Sequence, residues 1–356
     1  VVTFSGSSYV TVQSGGSIVA ESGVTFSPSD RAVRYSGTMS VDNTWGFPVL
    51  VEDNLTVSSG KWLTILEGTN VKINSGKKIT INGKLIADGT SSYPITFNSA
   101  SGTWYGIELN YCDPITLSHC TLQNASYAVK SYGTWLDMDY CTFSSNGWAI
   151  NYDDESYGTI QYTSVSSSST YGIYCTQNST PTIRPYNRIW NNSGTAICGD
   201  DDSLPDLGTY YNGGNNSIKN NYPDDIWSDN SNTVHAEYNY WGSSSPSPYV
   251  SDNVDWDPYL TSEPTTGLYK SHYLAQPAGT AHVKGPADTT GKYIFSKAYD
   301  KFLQGNYSEA IEDFKVLLSE YADHPIAQQA LSFINKCNLK SGSSDAAMAY
   351  LNQANP

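Results

Sequence analysis

The sequence predicts an all-β coil that stacks on itself, a β-solenoid, followed by a small α-helical segment. Three observations predict it. A short apolar–polar–apolar beat closed by glycine runs through residues 54–90. From Ile115 one template recurs every 21–24 residues. Past residue 290 the apolar spacing changes to the helical period.

In "NLTVSSGKWLTILEGTNVKINSGKKITINGKLIADGT" (Asn54–Thr90) the pairs Leu55/Val57, Leu63/Ile65, Val71/Ile73 and Ile79/Ile81 alternate with polar residues. Period 2 marks short strands with one buried face. Gly60, Gly68, Gly76, Gly83 and Gly89 punctuate them, and glycine permits the positive φ of a tight turn. The segments "ITLSHCTLQNASYAVK", "LDMDYCTFSSNGWAIN", "IQYTSVSSSSTYGIYC" and "TIRPYNRIWNNSGTAIC" then repeat one template. Tyr127, Trp148, Tyr171 and Thr195 fall at equivalent places, 21, 23 and 24 residues apart. Three short beats make one such interval, so the expected coil has three strands per turn, and a fixed period of this length marks a solenoid. Leu55, Ile65, Ile73, Ile81, Leu117 and Met138 are expected to face inward. Cys120 and Cys141 share a template position and are expected to form a buried thiol ladder, whereas Cys175 and Cys198 are one position out of register.

After "DWDPYL" (Asp255–Leu260) the beat stops, and residues 261–288 read as a linker or strap. Tyr307, Ala310, Ile311, Phe314, Leu317, Leu318 and Tyr321 then mark one face of a helix. The preceding "KAYDKFLQGN" ends at Gly305, and "HPIAQQALSFINKC" starts a further helix with Pro325 near its first turn. The expected division is 1–260 coil, 261–288 linker and 289–356 helical segment.

The phrases "PVLVEDNLTVSSGKWLTILEGTNVKI", "KLIADGTSSYPITFNSA", "WYGIEL" and "AEYNYWGSSSPSP" make residues 1–260 resemble the right-handed parallel β-helix, the pectate-lyase-like repeat family of bacterial surface proteins. The resemblance implies a triangular coil with glycines at its corners, and it is specific for fold and poor for function. The tail resembles a tetratricopeptide repeat, with Ala298, Gly305, Tyr307, Ala310 and Phe314 at that family's small and aromatic positions. It spans about one and a half repeats, fewer than the ~3 needed for independent stability. Together these imply an extracellular or bacterial cell-surface protein.

Composition narrows the partners. With 34 acidic and 19 basic residues the net charge is -15, so nucleic acid and anionic membrane surfaces are excluded as expected partners. No apolar run approaches the ~20 residues of a membrane span. The strand-like opening "VVTFSGSSYVTV" shows no leader, and a mature form or a fragment is expected. Six cysteines without a Cys-x-x-Cys pair give no zinc or thioredoxin-type signal.

No catalytic set assembles from the sequence. The hydrolases of the resembled family imply paired aspartates beside Gly-His-Gly and Arg-x-Lys, and the lyases imply a cation plus a basic residue. "GDDDS" (Gly199–Ser203) holds Asp200, Asp201 and Asp202, but neither companion motif is present. These hard oxygen donors suit a solvated loop or a calcium-holding turn; no other cofactor is expected. Lys130, Arg184, Arg188 and Lys219 are the basic residues of the coil that a lyase would draw on, and Arg184 and Arg188 are placed to flank one corner. His119 lacks companion ligands, and no Gly-x-Ser-x-Gly elbow occurs. The aromatics carry the functional hint. Among Trp104, Tyr105, Tyr132, Trp135, Tyr152 and Tyr157, the set Tyr132, Trp135, Tyr152 and Tyr157 with Asp153 is the expected glycan contact, because flat rings beside hydrogen-bonding groups stack on sugars.

The expected function is therefore a non-enzymatic structural, adhesive or assembly unit. The alternative is a polysaccharide lyase, glycoside hydrolase or glycan-binding module. A homo-oligomer or filament is expected through the first coil and the helical tail, since uncovered strand edges recruit further strands.

Overall fold

In the computed structural model the period-2 segments among the described residues pair in parallel with segments one coil away and not with the adjoining beat of the same coil. The structure describes the backbone at Val2–Thr3, Val10–Val12 and Phe26–Ser27, and then residues 32–210 and 212–264. In the C-terminal part it describes 298, 301–302, 306–320, 330, 333–334, 337–338 and 341. Two compact units result, Val1–Ala278 and Gly279–Pro356.

The first unit is a parallel β-solenoid of about ten turns. One wall is a seven-stranded sheet running from Asn43–Trp45 through Trp62–Ile65, Lys84–Asp88, Ile115–Ser118, Leu136–Asp139 and Thr159–Gln161 to Thr182–Ile183. A second wall stacks Ile95–Ser99, Cys120–Gln123, Thr142–Ser144, Ser164–Ser166, Arg188–Trp190 and Ser217–Lys219. The third stacks Lys78–Ile81, Trp104–Asn110, Ala125–Tyr132, Trp148–Asp153, Tyr171–Cys175, Thr195–Gly199 and Ile226–Ser228. Alternation sends one side chain of each pair inward. Ile79, Ile107, Val129, Ile150, Ile173, Ile197 and Ile226 form one such inward row across seven layers. Each fully buried aliphatic side chain contributes roughly 1.5–3 kcal/mol relative to exposure. All six residues expected to face inward, from Leu55 to Met138, are buried. The equivalence of Tyr127, Trp148, Tyr171 and Thr195 is the observed strand register.

The corners differ from the expectation in one respect. Gly60, Gly68 and Gly76 do turn at positive φ. Gly83 and Gly89 do not; a Cβ would sit 2.2 Å from the Lys61 carbonyl oxygen at Gly83 and 2.8 Å from the His119 carbonyl oxygen at Gly89, so both are glycine because two backbones touch.

Beyond Ile115 the corners mostly use residues other than glycine, Gly133 at φ 52° being an exception. At one corner His119, Tyr140, Tyr162, Tyr186, Asn215 and Tyr238 all hold φ between 47° and 59°. That left-handed conformation costs an L-residue roughly 1–2 kcal/mol. The next residue in each case is Cys120, Cys141, Thr163, Asn187, Asn216 or Asn239, and all are buried. Their side chains replace the backbone partner that the corner removes. The Cys141 amide donates to Thr163 Oγ1 (3.2 Å), Thr163 to Asn187 Oδ1 (3.0 Å), Asn187 to Asn216 Oδ1 (3.0 Å) and Asn216 to Asn239 Oδ1 (2.9 Å). A second corner runs the same way through Asn146, Asn192 and Asn221, and a third through Thr134, Ser156, Ser179 and Ser203. Outside, the rings of His119, Tyr140, Tyr162 and Tyr186 stack at 4.8, 4.6 and 5.5 Å.

All six cysteines are free thiols. Cys120 and Cys141 donate to the carbonyls of Ala87 and Leu117 in the neighbouring layer, a buried thiol ladder as expected. The Cys141 thiol and burial together hold Cys120 well above the usual thiol range.

Of the expected linker, residues 265–288 lie outside the described residues. Glu263 folds back to Lys219 Nζ at 2.7 Å and Ser217 Oγ at 2.9 Å. Most of the N-terminal edge invoked for strand addition also lies outside the described residues, although Val2–Thr3 and Val10–Val12 do pair in parallel with later strands.

In the second unit, Tyr307–Glu320 is an α-helix. Ala310, Phe314 and Leu317 are buried with Ala298, Ala330, Phe333, Ile334 and Cys337, and Phe302 packs on Tyr307 and Phe333. Gly305, Tyr321 and Pro325 lie outside the described residues.

Two substitutions test the corners and the register. Asn216→Ala removes the acceptor of Asn187 and the donor to the Ile183 carbonyl. It is expected to cost roughly 2–4 kcal/mol in denaturant unfolding, while Asn215→Gly beside it stays within about 0.5 kcal/mol. Gly106 lies at φ 143° with the Tyr127 carbonyl oxygen 1.5 Å from where a Cβ would be. Gly106→Ala is expected to cost upwards of ~4 kcal/mol or to abolish soluble expression.

Candidate ligand-binding face

The third wall carries a repeated row of outward rings. Tyr127, Trp148 and Tyr171 are register partners on Ala125–Tyr132, Trp148–Asp153 and Tyr171–Cys175. A register shift at Gly106/Ile107 seats Gly106 under Tyr127. The ring centroids lie 5.2 Å apart from Tyr127 to Trp148 and 4.6 Å from Trp148 to Tyr171. Tyr105 extends the ladder onto Tyr127 at 5.4 Å, and Tyr174 braces Trp148 at 4.8 Å. All five rings are half-buried.

Beside the ladder runs an open groove of about 480 Å³. Tyr127 and Trp148 line it together with Thr103, Ser126, Ser145, Ser167, Ser169 and Thr170, and its remaining lining is Ala125, Asn146 and Gly147. The lining holds hydroxyls, one amide and two rings, with no carboxylate, imidazole, ammonium or guanidinium. Such a surface recognises a polyhydroxylated ligand by stacking and hydrogen bonding. It offers no group suited to proton transfer near neutral pH.

Charge gathers further along the same wall. Lys78 pairs with Glu108 at 2.6 Å, and Lys130 approaches Asp153 at 3.4 Å while lying over the Tyr132 ring at 4.5 Å. Burial draws the Lys130 ammonium downward, but Tyr132 and Asp153 outweigh it and the net movement is upward. Tyr105 is pushed up by burial and then by Glu108. Tyr174 is pushed up by burial and by its hydrogen bond to Asp200. Each shift holds the ordinary neutral-pH protonation state more firmly, so none prepares a base or nucleophile.

The structure divides the expected glycan residues. Tyr132 and Asp153 share the third wall. Trp135 and Tyr157 meet at 5.1 Å with their rings tilted by 56°, around the next corner past Gly133 and Thr134. Tyr152 is a correction: it is wholly buried and donates its hydroxyl to the Leu136 carbonyl at 2.8 Å. Ile150 belongs to the inward row, so two-residue alternation puts Tyr152 in the core as well. Trp104 is buried for a similar reason, with its indole N–H on the Gln123 carbonyl. The ladder Tyr127–Trp148–Tyr171 was not assigned as a site from the sequence, although its three members occupy one template position.

The other candidates have structural partners. Asp200 accepts from the Tyr174 hydroxyl at 2.7 Å and Asp201 from Thr176 Oγ1 at 3.0 Å. Asp201 and Asp202 both form a corner at positive φ. Arg184 and Arg188 do flank a corner, but Arg184 is buried against Asp206 at 2.5 Å and Arg188 lies 3.5 Å from Glu263. His119 stacks on Tyr140. Among the described residues, one set of three His, Cys, Asp or Glu side chains has ligand atoms converging within 4.8 Å, namely His235, Glu237 and Asp255. It was not foreseen from the sequence. No helix among the described residues is long and apolar enough to cross a membrane.

No curated protein and no solved structure matches the chain. Residues 85–240 match the model of a family described as "Right handed beta helix region". That part of the chain is similar to this family, and with the parallel layers on either side it forms a right-handed β-helix domain.

Proposed function

We propose that this chain is a non-enzymatic extracellular or cell-surface β-helix protein that adheres to neutral polysaccharide along its third wall. The observation that carries the reading is the Tyr127–Trp148–Tyr171 ladder beside a groove whose lining holds only hydroxyl, amide, aromatic and small side chains. A sugar ring presents an apolar C–H face and a rim of hydroxyls. The ladder suits the first and the serines and threonines suit the second. A negative chain of net charge -15 also favours a neutral polymer over a uronate one. The scarcity of basic residues and the ordinary protonation states around the groove support binding rather than turnover.

The test is titration of the protein with soluble neutral glucans, mannans and galactans, and with pectin and alginate, following intrinsic tryptophan fluorescence. A neutral polysaccharide is expected to shift the emission and saturate. Trp148→Ala is expected to weaken binding about tenfold, which corresponds to about 1.4 kcal/mol. Trp62→Ala, an exposed tryptophan on another wall, is expected to leave it unchanged. Binding that survives Trp148→Ala in a folded variant, or release of unsaturated or reducing-end products from any polymer, contradicts the reading.

A further inference from the structure

The last described coils bring together three metal-ligating side chains from segments 20 residues apart. Val234–His235 and Val254–Asp255 form a parallel pair in which Val234 meets Val254 and His235 meets Asp255. Both valines are buried, so His235 and Asp255 project outward side by side. Glu237, two residues beyond His235, falls on the same side. The ligand atoms of all three lie within 4.8 Å of one another, and His235 Nδ1 is 3.4 Å from Glu237 Oε2.

The buried member points to a ligand. Glu237 is 5% exposed, and its covered Oε2 accepts no hydrogen bond of good geometry; the contact it does make is the long one to the His235 ring at 3.4 Å. Its Oε1 is fixed by the Tyr210 amide at 3.2 Å, the kind of outer contact that orients a metal ligand. A covered carboxylate oxygen with only that long contact is costly unless a full positive charge meets it, either a protonated His235 or a metal ion. The nearby Asp206 is already held by Arg184 and by the Gly208 amide, so it is engaged elsewhere. His235 and Asp255 are exposed.

We propose that His235, Glu237 and Asp255 bind a divalent transition-metal ion of the zinc type, which fastens the two terminal layers of the coil together. One imidazole nitrogen and two carboxylates suit such an ion better than calcium, which takes six to eight oxygens. Ligand bonds of about 2.0–2.2 Å place donor atoms roughly 3–3.5 Å apart. The His235–Glu237 separation already meets that spacing, and the two exposed side chains close the rest. Water completes the coordination. The site lies outside the aromatic ladder and its groove and does not depend on the polysaccharide reading.

The experiment is equilibrium dialysis of the full chain against Zn²⁺ alone, with Co²⁺ absorption spectra as a second readout. One ion per chain is expected, with visible Co²⁺ bands and a raised melting midpoint in the presence of Zn²⁺. His235→Ala and Asp255→Ala, both on exposed side chains, are expected to lower affinity about tenfold or more and to remove the bands. The double variant Asp200→Asn/Asp201→Asn is expected to bind Zn²⁺ as the parent does, and excess Ca²⁺ is expected not to displace it. Failure of the parent chain to retain Zn²⁺, or unchanged binding in His235→Ala, overturns the assignment.

Discussion

The structure depends on finding partners for backbone N–H groups where the coil turns. Along each wall the parallel register supplies them, layer on layer. At a corner the chain changes direction, and the amide of the first residue past the bend no longer meets a carbonyl. Left unpaired inside the coil, each such group costs about 1–3 kcal/mol. The protein meets this with side-chain oxygens supplied by the adjacent layer: Thr163, Asn187, Asn216 and Asn239 at one corner, and serines or asparagines at the other two. The buried asparagines also return their amide groups to carbonyls of another layer, as Asn187 does to Ile160 and Asn216 to Ile183. Asn187 Nδ2 also donates to Asn216 Oδ1 at 3.0 Å in the following layer, so that one side chain joins three layers.

The same geometry explains the positive φ of so many tyrosines and asparagines. The left-handed residue turns the chain sharply enough that its successor points inward to serve as the acceptor. Its own ring is thrown outward, where stacking with the rings of neighbouring layers contributes roughly 0.5–1.5 kcal/mol per pair. Repetition then turns a local device into a surface. Any outward residue type that recurs at a template position becomes a row, and Tyr127, Trp148 and Tyr171 are such a row on a wall instead of a corner. Function on a solenoid is written in rows, and the proposed polysaccharide face is one of them.

Particular residues show what the sequence disclosed. The equivalence of Tyr127, Trp148, Tyr171 and Thr195, the stacking of Cys120 on Cys141 and the offset of Cys175 from Cys198 all follow from counting along the repeat. Two-residue alternation identified Leu117 and Met138 as core. The left-handed Tyr140, Tyr162 and Tyr186 were not legible, because backbone propensity reserves positive φ for glycine and asparagine. Tyr152 was misplaced because it was assigned to a corner, whereas it still belongs to the strand, in phase with the inward Ile150, and the turn begins only at Asp154. The His235, Glu237 and Asp255 group was invisible because its members meet across layers, with no local spacing to mark them. Gly83 was found at a corner for the wrong reason, since close backbone contact and positive φ leave the same residue in the sequence.

The most direct test of the account is native-state hydrogen exchange at the corner amides of Thr163, Asn187 and Asn216, compared with strand amides in the same layers. Side-chain acceptors at the corners predict protection equal to that of the neighbouring Ile189 and Ile218 amides. Exchange at rates typical of open turns, with the strands still protected, would contradict it.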